Sequence, residues 1–149
     1  MLLSCSAMAT LLNINGKLNE RIHFFTGGLS VKVISLEDAE KYEPDKGWMR
    51  ASICLERSVS LEYFVKPPKH SSPLHEHPEE QVCVVVKGEM KVKNGNGEEA
   101  VLKPGDAAYF ASHEPHAIEN ALGEQSIGID IFVPGRFFDF WLKRDKTHR

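Results

Sequence analysis

The residues of this chain best able to act together chemically are His75, His77, Gln81 and His116. In the segment His75-Glu76-His77-Pro78-Glu79-Glu80-Gln81 two imidazoles are two residues apart, so on an extended strand both point to one side of the sheet. The same parity turns Gln81 with them and Glu80 away. If a second hairpin brings His116 alongside, three imidazoles and one amide oxygen converge. That donor set holds one divalent transition metal, and Zn, Ni, Fe, Co and Mn all accept it. Two alternatives stay open: a β-bulge could swing Glu80 inward, or Gln81 could be a core residue hydrogen-bonded to backbone.

Short β-type runs separated by turn signals must position these groups. The pattern predicts strands over 30–36, 48–55, 59–66, 81–86, 89–93, 98–102, 107–110, 116–120 and 125–133. A single helical turn is expected over 37–41, before a turn at Pro44-Asp45-Lys46-Gly47. The clearest hairpin signal is Asn94-Gly95-Asn96-Gly97, and Lys103-Pro104-Gly105-Asp106 is another turn. Many short strands with tight turns argue for an all-β antiparallel sandwich or barrel, whose mouth can gather polar side chains. Residues 1–28 read as an N-terminal arm, 29–136 as the barrel and 137–149 as a short tail that begins as helix. Phe137, Phe138, Phe140 and Trp141 are too many aromatics to leave exposed, and suit a barrel cap or a subunit contact.

The chain has 149 residues, enough for one domain with a real core, and a net charge of -3. Lys and Arg are scattered, which gives no footprint for nucleic acid. No apolar run reaches the roughly 18 residues that cross a bilayer. Cys5, Cys54 and Cys83 form neither a disulfide framework nor a metal-type pair, so a reducing cytoplasm is expected. Leu2-Leu3-Ser4-Cys5 faintly resembles a lipoprotein cleavage site but lacks the basic start and long apolar stretch of such a signal. Met8 is an alternative start.

The motifs resemble those of the cupin superfamily. Its first motif runs Gly-x5-His-x-His-x3/4-Glu-x6-Gly, and His75, His77, Gln81 and Gly88 fall at those spacings, with Lys69 where the leading glycine stands and Gln81 where many members carry Glu. Its second runs Gly-x5-Pro-x-Gly-x2-His-x3-Asn. Gly105, His116 and Asn120 match in register, while Ala111 replaces the proline and His113 the glycine. The resemblance implies a double-stranded β-helix, or jelly roll, with one metal inside the barrel. A neutral amide in place of a carboxylate leaves the metal one unit more positive, which favours polarising a carbonyl or hydroxyl over activating oxygen.

A narrower resemblance is to small pectin-degradation cupins that open unsaturated monouronate sugars. They carry His-x-His-Pro-x-Glu-Gln and, on the last strand, Asp-x-Phe-x3-Arg; Asp130, Phe132 and Arg136 sit at that spacing. The roles implied are a proton-transfer group at Asp130, a ring packed against the sugar face at Phe132, and a bidentate carboxylate clamp at Arg136. The leading expectation is a metal-dependent enzyme, probed by Asp130→Asn, acting on a small polar or anionic substrate, with a sugar acid first. Its rivals are a metal-dependent dioxygenase and a non-catalytic small-ligand module. A homodimer is expected from the arm and the aromatic tail. Cys83 reads as a small buried hydrophobe, and His113 as a loop residue near the pocket mouth that could also serve proton transfer.

Overall fold

A computed structural model describes residues 31–137. The expected arm over 1–28, the alternative start at Met8 and the helical tail after Phe137 lie outside the described residues. The chain divides into two units, Met1–Asp38 and Ala39–Arg149.

In the first unit the described residues are irregular. The strand expected over 30–36 is not formed at 31–36: Val31 and Val33 alternate as a strand would, but each is 73% exposed and neither pairs with another described segment. The backbone N–H of Asp38 donates to Ser35 Oγ at 3.2 Å, a local turn that competes with extension.

The second unit is built from nine strands and, among the described residues, no helix. They are β1 (Glu40–Asp45), β2 (Trp48–Leu55), β3 (Ser60–Lys66), β4 (Glu80–Lys87), β5 (Met90–Asn94), β6 (Glu99–Leu102), β7 (Ala107–Phe110), β8 (His116–Glu119) and β9 (Ser126–Val133). Eight fall where the alternation puts them. Residues 36–38 form a turn, but β1 takes the end of the helical turn expected over 37–41 and the first half of the turn expected at 44–47. Its composition hides it: Glu40, Lys41, Glu43, Pro44 and Asp45 would be poor in a central strand but suit the edge it occupies, where one side needs no ladder partner.

One sheet runs β1-β2-β3-β9-β4-β7 and the other β6-β5-β8. Every pairing is antiparallel. Phe64, Cys83, Val85 and Phe110 from the large sheet meet Met90, Val92, Leu102 and Ile118 from the small one in a single buried cluster. Two sheets sharing one core, with chain neighbours such as β4 and β5 divided between them, make the jelly roll, or double-stranded β-helix. Gly128 on β9 fits the ring of Phe64 against the sheet, since a Cβ there would lie 2.5 Å from Phe64 Cζ.

Inward parity has an uncommon content in this barrel. On β3 the buried positions are Ser60, Glu62, Phe64 and Lys66, and on β2 Arg50 is buried as well. Charged and polar side chains therefore share the barrel interior with the apolar cluster. No helix among the described residues is long and apolar enough to cross a membrane.

Candidate metal centre

The two histidines of the first motif lie just before β4 rather than on a strand. The segment is nonetheless extended, because His75 exchanges backbone hydrogen bonds with His116 of β8: each N–H donates to the other's carbonyl, at 3.0 and 2.8 Å. This isolated bridge brings the two motifs together. Asn120, fully buried, holds the loop that leads there, its Nδ2 donating to the carbonyls of Lys66, Pro67 and Glu124 at 3.1, 3.0 and 2.6 Å.

His77 and His116 are buried, 7% and 1% exposed, and His75 is partly exposed. In each ring Nδ1 faces a backbone carbonyl two residues away: Pro73 at 2.9 Å for His75, Glu79 at 2.9 Å for His77, Glu114 at 2.8 Å for His116. A carbonyl can only accept, so each Nδ1 carries the proton and each Nε2 keeps a lone pair. The ligand nitrogens lie within 4.8 Å of one another and could hold a metal ion. The ring of Phe110 stacks on His116 at 4.2 Å and 13°, and Phe132 meets His77 edge-on at 5.5 Å. Burial is the main reason that His75 is held down at about 4, and it lowers His116 as well. Both are therefore neutral near pH 7, as ligation requires.

Gln81 is 2% exposed and faces the same space. Its Oε1 lies 3.0 Å from His77 Nε2 and 3.1 Å from His116 Nε2. Its Nε2 donates to Asp130 Oδ1 at 2.8 Å, which fixes the amide the right way round. Three acceptors thus face one another with no proton between them, an arrangement that a cation relieves. The donor set fits a divalent transition metal by hardness and by number. Glu80 is exposed on the other face of β4, near the Tyr109 hydroxyl.

Asp130 on β9 is 2% exposed, with both carboxylate oxygens engaged. Oδ2 accepts from Arg50 Nη2 at 2.8 Å, and Arg50 Nε donates to Glu62 Oε2 at 2.5 Å. Phe132 is 1% exposed, and the guanidinium of Arg136 sits 5.4 Å from its ring centre. Gly135 allows that placement: a Cβ there would lie 1.8 Å from the Glu56 carbonyl. The chain after β9 can therefore press against the β2–β3 loop, with Gly135 N–H donating to Arg57 at 3.0 Å and Arg136 N–H to Ser60 Oγ at 2.9 Å. One cavity is lined by His75, Gln81, Asp130, Phe132 and Arg136 together, with Arg50 and Lys66 beside them. Burial lowers the Arg136 pKa, with the Glu62 and Glu79 carboxylates opposing that shift.

Arg50, Glu62 and Lys66 were not foreseen. Their signal is parity: Phe64 marks the inward face of β3, and Glu62 and Lys66 at two residues either side must share it. Cys83 is fully buried in the core and burial pushes its thiol well up, so it is no nucleophile. His113 is exposed, and its backbone N–H donates to the His77 carbonyl at 2.8 Å.

A cupin-domain family model matches residues 62–132, the span that holds all four candidate ligands and Asp130. Among solved structures, KdgF from Halomonas sp. superposes with a TM-score of 0.67 at 23% identity, covering 74% of this chain and 99% of its own. An RmlC-like cupin from Shewanella frigidimarina NCIMB 400 gives 0.65 at 26%, covering 74% and 96%. Drosophila melanogaster CENP-C bound to CAL1 gives 0.58 at 21%, covering 66% and 82%. A search of curated proteins finds no match. Two sheets sharing one core, paired histidine motifs bridged at His75 and His116, and these likenesses agree: residues 62–132 form a cupin domain.

Proposed function

We propose that this chain is a metal-dependent enzyme acting on a small anionic molecule, a sugar acid first among candidates, by Lewis-acid and general acid–base chemistry such as ring opening or isomerisation. The observation that carries this reading is the convergence of His75, His77 and His116 with Gln81 Oε1, two of which, His75 and Gln81, line a cavity together with Asp130, Phe132 and Arg136. The spacing of Asp130, Phe132 and Arg136 supports the sugar-acid class.

His75, His77, Gln81 and His116 would hold the metal, which when bound supplies Lewis acidity toward a substrate oxygen. Arg136 clamps a carboxylate at the rim. Phe132 packs against the substrate between His77 and Arg136. Asp130 moves the proton: Oδ1 already accepts from Gln81 but retains a second lone pair on the cavity side. Cys54 and Cys83 are free thiols, which suits a reducing cytoplasm.

The outer face of the large sheet supports a homodimer. Tyr109, Val82, Ile131 and Leu61 form one row across four adjacent strands, and Val84, Ile129 and Tyr63 a second. An antiparallel sheet facing water is ordinarily polar on that side, so a second copy of the chain is the occupant we assign.

The test of activity is turnover of an unsaturated monouronate, followed by loss of the ring double bond's absorbance. Activity removed by a chelator, restored by metal and unchanged under nitrogen upholds the reading. No turnover by fully metallated protein overturns it, and a requirement for oxygen would move it to the dioxygenases.

A further inference from the structure

A third cation lines the cavity, besides Arg136 and the carboxylate-bound Arg50. Lys66 closes β3 on the inward parity of Ser60, Glu62 and Phe64 and is 2% exposed. Its Nζ lies 4.7 Å from the centre of the Trp48 ring, and among the described residues it makes no ion pair and no side-chain hydrogen bond. The neighbouring carboxylates are committed: Arg50 binds Glu62 through Nε at 2.5 Å and Asp130 through Nη2 at 2.8 Å. A buried ammonium with an aromatic face but no anion beside it is costly to keep. Burial first, and then the Arg50 guanidinium, push Lys66 down to about 8, so it still carries its charge at neutral pH. Lys66 lines the cavity that Arg136, His75 and Gln81 also line.

Lys66 and Arg136 approach that cavity from opposite ends of one strand. Arg136 is tied to Ser60 at the start of β3, and Lys66 ends the strand six residues later, roughly 20 Å along the backbone at about 3.3 Å per residue. Both residues nonetheless line the one cavity.

We propose that Lys66 is a second substrate anchor and that the cavity takes a small dicarboxylate, a sugar acid oxidised at both ends, with one carboxylate on Arg136 and the other on Lys66. This rests on the reading of the cavity as a sugar-acid site and narrows it to the diacids. Lys66 supplies a single compact charge rather than a bidentate fork, so either oxygen of the second carboxylate can meet it.

The experiment is isothermal titration calorimetry on zinc-loaded protein at pH 7 with galacturonate, galactarate and the unsubstituted diacid adipate. Galactarate is expected to bind roughly ten- to hundredfold more tightly than galacturonate. Lys66→Met should erase that preference, and Lys66→Arg should keep most of it, both variants first passing a melting check. Equal affinity for the two sugar acids, or a preference that survives Lys66→Met, overturns the second anchor and leaves the single-anion reading standing. Lys66-dependent binding of adipate with neither sugar acid bound upholds the two-anion cavity and overturns the sugar-acid reading. Binding of none of the three overturns both.

Discussion

Gln81 donates its side-chain amide to Asp130 Oδ1 at 2.8 Å, and that bond decides which end of the amide meets the imidazoles. With Nε2 committed to the carboxylate, Oε1 must face His77 and His116. Asp130 is itself held by Arg50 from the other side, and Arg50 by Glu62. A chain of four buried side chains on β4, β9, β2 and β3 thus ends in one oriented oxygen. Partners that orient a ligand without touching the metal commonly set its affinity.

Asp130→Ala should therefore cost metal, not only turnover. Freed of its acceptor, the Gln81 amide can rotate and present Nε2 to the site. Affinity is expected to fall about ten- to hundredfold, measured by competition with a chromophoric chelator. Unchanged affinity would leave Asp130 with a proton-transfer role alone.

Lys66→Met should stabilise the ligand-free protein at pH 7. The folded pKa of about 8 lies below the ordinary 10.5, so the unfolded chain holds the proton more tightly. The resulting cost is fully present below pH 8 and disappears as pH rises through 10.5. It is on the order of 3 kcal/mol. Chemical denaturation at pH 7 and at pH 10 should show a large gain at the first and a smaller one at the second. A loss of stability at pH 7 would mean that the ammonium is already compensated.

The same barrel shows what a sequence conveys easily and what it hides. Alternation located eight strands, because a half-buried antiparallel strand must alternate. It missed β1, whose edge position removes the need for apolar residues. Parity placed Gln81 inward and Glu80 outward, though His75 and His77 precede the strand. Arg50, Glu62 and Lys66 stayed hidden because charged residues on a strand ordinarily mean its wet face, and only the closed barrel shows that this face is inside. The backbone at Lys69 and His113 explains why the superfamily motifs carry glycine there: both have positive φ, 56° and 59°, the region that glycine enters without a Cβ clash, so the lysine and the histidine sit there under strain.

That strain can be measured at Lys69, which is exposed. Lys69→Val should destabilise by about 1–2 kcal/mol, since a β-branched residue resists that region most. Lys69→Gly should be neutral or gain up to about 1 kcal/mol, relief of strain being offset in part by unfolded-state entropy. Urea unfolding of both variants checks the order, and a valine as stable as the lysine would contradict it.

Tyr109 is 59% exposed at the edge-strand end of an outer apolar row, so Tyr109→Glu should split the dimer and leave the fold intact. Light scattering after size exclusion reads the mass directly. Wild-type protein at the mass of one chain would rule the dimer out.

Metal content is the most direct test of the central claim, that the convergence of His75, His77, Gln81 and His116 is a metal centre. Elemental mass spectrometry on untagged protein purified without chelator should find about one divalent transition metal per chain, lost in His77→Ala while the melting transition persists. Wild-type protein that stays empty after Zn, Ni, Fe, Co and Mn are each supplied, or a His77→Ala variant that keeps its full complement, would contradict it.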